Sequence, residues 1–334
     1  MRTFVTGATG LLGNNLVREL IGRGHTVKAL VRSREKAEKL FGDLAIEYIV
    51  GDMENVAAFA GELAGTDVLF HTAAYFREYY QPGEDHWGKL KRVNIDGTIE
   101  ILKAADAARA KKALYVSSSG VIGLKPDGSA GDENTPSHPV TEGNLYFKSK
   151  VLGEAAVEEF AKSHKMPVIQ ILPGWMFGTG DAAPTSAGQL VLDFLSGNLP
   201  GTFDGGTTVV DAADVAIAMI NAAEKERCGP KYLIAGTFKT MREIAQTMAE
   251  VSGKPEPKIR FPYMAIYSFA VVQELYSRLT GKPALVTRTA INTMRARLDH
   301  DSSRAVNELG ASFRPFADTL RSEIDWYRQN GYTV

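Results

Sequence analysis

Short apolar runs alternate with longer amphipathic stretches through the N-terminal part of the chain. The runs at 26–31, 46–50, 68–71, 113–116 and 167–172 are mostly apolar and the run at 2–6 centres on Phe4-Val5, as expected of buried strands in a parallel sheet. Helical periodicity follows them, beginning at Leu11 and running through Leu20. This alternation predicts an α/β fold with a doubly wound parallel sheet. Beyond Pro173 the alternation breaks down. Residues 191–196 read as helix, 207–210 as extended and 232–235 as a return to the sheet. Asp211 and Asp214 open a helix with acidic side chains in its first turn, where the helix dipole favours them. From Thr240 onward Pro255, Pro257, Pro262 and Pro283 separate short helices, as in a cap. The expected organisation is a sheet unit of residues 1–172 and about 208–236, with a smaller, discontinuous C-terminal lobe of 173–207 and 237–330. No internal repeat, heptad run or low-complexity segment interrupts it.

Gly7, Gly10 and Gly13 stand at three-residue spacing between the first strand and the first helix. In that context the first glycine permits a tight turn, the second lets backbone approach a pyrophosphate, and the third lets helix and strand pack closely. The helix N-terminus then offers unpaired N–H groups and a positive dipole end, so the pattern predicts dinucleotide binding. The second strand ends at Arg32-Ser-Arg34, with no acidic residue before Glu35. A carboxylate there would bind a free ribose 2′-hydroxyl, whereas arginine accommodates a 2′-phosphate; Arg32 therefore points to NADP(H), with NAD(H) as the alternative and a solvated loop as the plain reading. Asp52 closes the third strand, where it can meet the adenine amino group. Thr72, Ala73 and Ala74 after the fourth strand are small enough for a cofactor to pass closely. His71 reads as a structural strand-end histidine, because no metal-ligand spacing surrounds it. Asn94 either braces the site through backbone hydrogen bonds or is purely structural.

Tyr146 and Lys150 are four residues apart and share one face of a helix. A phenol is a weak acid near neutrality, and an ammonium held beside it favours the phenolate, enabling proton exchange with a substrate oxygen. Ser117, Ser118 and Ser119 follow the fifth strand, at the carboxyl edge where open α/β sheets bind ligands. They either supply a hydroxyl to that oxygen or mark a turn.

The chain has 334 residues, 44% hydrophobic and 23% charged, the balance of an ordinary globular protein, and its net charge of −1 gives no field that recruits nucleic acid or anionic membrane. A single cysteine, Cys228, excludes an internal disulfide framework and fits a reducing compartment. With no recognisable leader before the first strand, a cytoplasmic location is expected. The apolar stretch from Met264 to Val272 is too short to span a bilayer and is expected to be buried or to line a pocket, with a membrane contact as the less favoured alternative. Arg288, Arg295 and Arg297 either touch an anionic substrate or lie on a solvated helix face.

Together these motifs resemble the extended short-chain dehydrogenase/reductase family, which includes dihydroflavonol reductases, steroid dehydrogenases and sugar-nucleotide epimerases. The resemblance rests on Thr6 to Gly13, Gly51-Asp52, His71 to Ala74, Asn94 to Thr98, the serines, Tyr146-x-x-x-Lys150, Pro173 to Gly178, Phe313 to Phe316 and Trp326-Tyr327. It is nearest to dihydroflavonol-reductase-like proteins and to a related epimerase/dehydratase group. It implies that Thr9, Leu11, Leu12, Met53, Pro173 and Trp175 join Gly7, Gly10, Gly13, Arg32, Asp52, Thr72, Ala73, Ala74, Tyr146 and Lys150 around the cofactor. By the family's spacing to Gly123 the active hydroxyl is Ser118, with Ser119 in reserve. Tyr75, Ser119 and Trp175 are candidate substrate contacts, and the aromatic loop from Tyr75 to Tyr80 suggests an apolar or aromatic carbonyl substrate. Ile122 stands where the epimerases usually carry tyrosine, which leans away from sugar-nucleotide chemistry. The resemblance thus implies an NADPH-dependent carbonyl reductase. A sugar-nucleotide epimerase or dehydratase with retained NAD is the alternative, and a non-enzymatic NADP sensor a lesser one. It also implies a homodimer, with Ile99, Leu102, Val151 and Ala155 at the interface.

Overall fold

The computed structural model describes residues 1–76, 84–281, 284 and 286–332; Tyr79, Tyr80 and Pro283 lie outside the described residues. Its strands are β1 (Arg2–Thr6), β2 (Thr26–Val31), β3 (Ile46–Val50), β4 (Val68–His71), β5 (Lys112–Val116) and β6 (Val168–Pro173), followed by β7 (Trp175–Phe177), β8 (Gly201–Phe203), β9 (Gly206–Asp211), β10 (Lys231–Ile234), β11 (Thr237–Thr240) and β12 (Ile259–Phe261). Helices α1 (Leu11–Gly22), α2 (Arg34–Phe41), α3 (His86–Lys91), α4 (Gly97–Ala107), α5 (Leu145–Ser163) and α6 (Ser186–Leu195) lie between them. The later helices are α7 (Ala212–Glu224), α8 (Met241–Ser252), α9 (Tyr263–Thr280), α10 (Arg288–Arg295), α11 (Ser303–Leu309) and α12 (Phe316–Gln329).

Seven strands form one parallel sheet in the order β3-β2-β1-β4-β5-β6-β10, the expected doubly wound arrangement. Consecutive side chains enter opposite layers. Val5, Phe70, Leu114 and Val116 join α1, α2, α7 and α11 on one face, while Phe4, Leu69, Ala113 and Tyr115 join α4 and α5 on the other. The chain reverses direction across the sheet between β1 and β4, leaving a crevice at their carboxyl ends.

A third core gathers β7, β9, α6, α8 and α12 around Phe177, Val191, Ile244 and Tyr327. In the same C-terminal half, α11 instead packs back on the sheet through Ala305 and Leu309. The stretch from Met264 to Val272 departs from expectation. It forms the first part of α9, where Met264 and Val272 are 69% and 61% exposed. Ala270 is buried and Ile266 is half-buried on the inward side, while Met264, Phe269, Val271 and Val272 are exposed, so the stretch buries only part of its apolar surface. Of the residues expected at a dimer interface, Leu102 is buried in the core, Ile99 and Val151 are half-buried and Ala155 is exposed.

Candidate active site

The glycine turn has the division of labour that its spacing suggests. Gly7 has a φ of +68°, and a Cβ there would come within 2.8 Å of Thr72 Oγ1 and 2.7 Å of the Ala73 nitrogen. At Gly13 a Cβ would lie 2.1 Å from the Gly7 carbonyl oxygen, so α1 approaches the turn only because no side chain intervenes. Gly10 is open by comparison, its nearest neighbour being the Gly7 oxygen at 3.4 Å. Thr9 and Gly10 are exposed, Leu11 and Leu12 are buried, and no side chain caps the start of α1. Backbone N–H groups thus face an accessible crevice, an arrangement that fits a pyrophosphate.

Thr72 ties β4 to β1 by donating its hydroxyl to the Thr6 carbonyl at 2.7 Å. Ala73 and Ala74 follow at the crevice, half-buried and exposed. Arg32, at the end of β2, is exposed, and no ion pair among the described residues involves it. Arg34 is already engaged, 2.8 Å from Glu38, and Ser33 caps α2 by accepting from the Lys36 N–H. Asp52 is exposed and accepts from the Glu54 N–H, while Met53 is buried beneath it.

A buried relay fixes the floor. The Ala73 N–H donates to Thr6 Oγ1, whose hydroxyl donates to His71 Nδ1 at 2.7 Å. His71 Nε2 meets Thr98 Oγ1 at 2.9 Å, and that hydroxyl donates to the Asn94 carbonyl. Because the Thr98 hydroxyl spends its hydrogen on the Asn94 carbonyl, the ring proton belongs on Nε2, and His71 is a neutral structural bridge. Burial, with the Lys150 charge in support, lowers its pKa to about 3. The unfolded chain therefore takes up a proton at His71 that the folded protein refuses, so stability falls as pH drops from about 6.5 towards 3. Urea unfolding should show about 2–3 kcal/mol of this loss by about pH 4.5, and His71→Asn should remove that pH dependence. An unchanged pH slope in the variant would refute the assignment.

Asn94 lies in a wide π turn, Arg92–Asp96, between α3 and α4. Its side chain accepts from the Tyr75 N–H at 2.7 Å and donates to the Tyr75 carbonyl and to Ser149 Oγ. Ser149 in turn donates to the Tyr146 carbonyl at 2.7 Å. This clasp joins the loop after β4 to the first turn of α5, which Asn144 caps by accepting from the N–H groups of Tyr146 and Phe147. Ser149 was not legible as a site residue, since a serine inside a helix carries no distinctive signal.

Lys150 is almost wholly buried and donates to the Val116 carbonyl at 2.8 Å. Its ammonium lies 5.2 Å from the centre of the Tyr115 ring and 5.7 Å from that of Tyr146. Burial lowers its pKa to about 8, while Glu154 pulls the other way. Tyr146 is half-buried, with the exposed Phe76 ring edge-on to it at 4.9 Å. The three serines separate by environment. Ser117 is buried and bonded to Glu154, which also holds Lys231 at 2.8 Å, and Ser119 is buried. Ser118 is half-buried and accepts from the Gly120 N–H at 3.3 Å, leaving its own hydrogen to donate. Tyr75 is half-buried and bonded to His86 at 3.2 Å. Pro173 ends β6 in the core, and Trp175 on β7 donates to Ser186 at 3.1 Å. Arg288 and Arg297 are paired with Glu274 and Asp204, and Arg295 stacks on Tyr263.

A doubly wound sheet carrying a glycine turn and a Tyr-x-x-x-Lys helix at its carboxyl edge defines a nicotinamide-dinucleotide enzyme of the extended short-chain dehydrogenase/reductase type. The chain belongs to the NAD dependent epimerase/dehydratase family, whose family model matches residues 3–235. Among its relatives, a Synechocystis protein named as a dihydroflavonol 4-reductase is 30% identical over 98% of this chain and 95% of its own length. A Stigmatella aurantiaca protein named 4-hydroxy-2-methyl-3-oxo-4-farnesyl-3,4-dihydroquinoline-1-oxide ketoreductase is 31% identical over 99% of this chain and 97% of its own. The crystal structure of gox2253 superposes with a TM-score of 0.85 at 31% identity, covering 100% of this chain and 99% of that one.

Proposed function

We propose that this protein is an NADPH-dependent reductase of an apolar ketone or aldehyde. The observation that carries this reading is the buried Lys150 ammonium beneath Tyr146, with the Phe76 ring edge-on to the phenol. The names of the Synechocystis and Stigmatella relatives, both reductases, support it. The open face of Gly10, the N–H groups of α1 and Arg32 would hold the cofactor's phosphates, with Asp52 at the adenine end. Bound NADPH would supply a hydride. Tyr146 gives a proton to the carbonyl oxygen, and Ser118 donates a hydrogen bond to the same oxygen. Lys150 holds the cofactor ribose and keeps a positive charge beside the phenol as it loses its proton.

The test is oxidation of NADPH, and in parallel NADH, with a panel of aliphatic, aromatic and terpenoid ketones and aldehydes. No turnover of any carbonyl would sink the proposal. Arg32→Ala should weaken NADPH by roughly ten- to a hundredfold while sparing NADH, because it removes one charge-assisted contact to the 2′-phosphate. Equal losses for both cofactors would overturn the NADP preference. A second reading, sugar-nucleotide epimerisation or dehydration with retained NAD, is favoured by the family match itself. NAD co-purifying with the protein, together with turnover of a nucleotide sugar without added cofactor, would establish it instead.

A further inference from the structure

α9 carries apolar side chains on both of its sides. Its inward side holds Ile266, Ala270, Gln273, Glu274 and Ser277, half-buried or buried, with Glu274 held by Arg288 at 2.7 Å. Its outward side carries Met264, Val272, Leu275 and Leu279, which are 69%, 61%, 55% and 79% exposed. At helical spacing these four, with the exposed Val271, make one stripe along the whole helix. Apolar side chains scattered singly on a surface need no explanation, but a contiguous stripe marks a surface that something covers.

Charge indicates what covers it. Residues 254–297 hold eight lysines and arginines against two acids, Glu256 and Glu274, in a chain whose net charge is −1. Cations stand at both ends of α9. Arg260 and Arg295 line a cavity with Tyr263 and with Asp204, whose carboxylate pairs with Arg297, at the N-terminal end of α9; the Arg295 guanidinium lies 3.9 Å over the Tyr263 ring, and exposed Arg278 stands in the last turn. A second copy would set like charges against each other, whereas an anionic surface would be attracted to them. At 18 residues α9 is about 27 Å long, and no helix among the described residues is long and apolar enough to cross a membrane. We propose that α9 docks this protein on an anionic phospholipid bilayer. The helix lies in the plane of the interface, with its stripe among the upper acyl chains and Arg260, Arg278 and Arg295 on the lipid phosphates. The proposal does not depend on the chemistry at Tyr146.

The experiment is flotation of the full chain with vesicles of phosphatidylcholine alone and of phosphatidylcholine containing about one third phosphatidylglycerol. Binding to the anionic vesicles should be at least about tenfold stronger and should weaken with added salt. Joint replacement Val272→Glu and Leu275→Glu should abolish it with the circular dichroism spectrum unchanged, because both side chains are exposed. Should that double variant misfold, Arg278→Glu alone should still reduce anionic binding several-fold. Failure of the unmodified protein to float with either vesicle would overturn the proposal. So would equal, salt-insensitive binding to both, or a solution dimer that the double variant dissociates.

Discussion

Tyr146→Phe is expected to leave the fold and cofactor binding intact and to lower kcat by roughly 10²–10⁴-fold, the usual contribution of a general acid. The ring supplies the edge-on contact with Phe76 and the surface above the Lys150 ammonium, and phenylalanine keeps both. The clasp through Ser149 uses the Tyr146 backbone carbonyl, which the substitution does not touch. What is lost is the hydroxyl proposed to neutralise charge on the substrate oxygen as hydride arrives at carbon. Ser118, whose own hydrogen is left to donate, is proposed to serve the same oxygen, so some activity should remain. A variant that retains most of its kcat on a confirmed carbonyl substrate would show that Tyr146 is not the acid. A lower melting temperature with unchanged activity per folded molecule would show a structural role instead.

Lys150→Met should lose cofactor affinity as well as rate, because the lysine is proposed to serve both the ribose and Tyr146. The pH behaviour separates this from a packing defect. Burial brings the Lys150 pKa from 10.5 down to about 8. Below that value its buried charge is a cost to the fold; between about 8 and 10.5 the unfolded chain holds a proton that the folded protein has released, so stability rises with pH. The variant should lack that rise. In the unmodified protein kcat/KM should fall as pH passes about 8 and the charge beside Tyr146 disappears. Methionine also leaves the Val116 carbonyl without its donor, a penalty of about 1–3 kcal/mol that opposes the relief from removing the buried charge. An alkaline limb unchanged in the variant would remove Lys150 from the mechanism.

The doubly wound sheet was legible in the chain because it depends on local rules. A strand inside such a sheet carries consecutive apolar residues, as Phe4-Val5 and Val68-Leu69-Phe70 do, and the bounds read for β1, β2, β3 and β4 agree with the structure. The glycine turn was legible for a similar reason, since at Gly7 and Gly13 the backbone leaves no room for a side chain. Tyr146 and Lys150 are neighbours through helical geometry alone, which any chain that is helical there would produce. Tertiary structure decided the rest. Ser117, Ser118 and Ser119 are chemically alike, and only the packing of α5 against β5 gives Ser117 to Glu154 and leaves Ser118 able to donate. The Asn94 clasp joins residues 19 and 55 positions apart, a separation that no periodicity encodes. For α9 the hydrophobic pattern marks a stripe but cannot say which way it faces. In the folded protein Ala270, Glu274 and Ser277 take the inward side, Glu274 against Arg288, and the stripe from Met264 to Leu279 is left facing out.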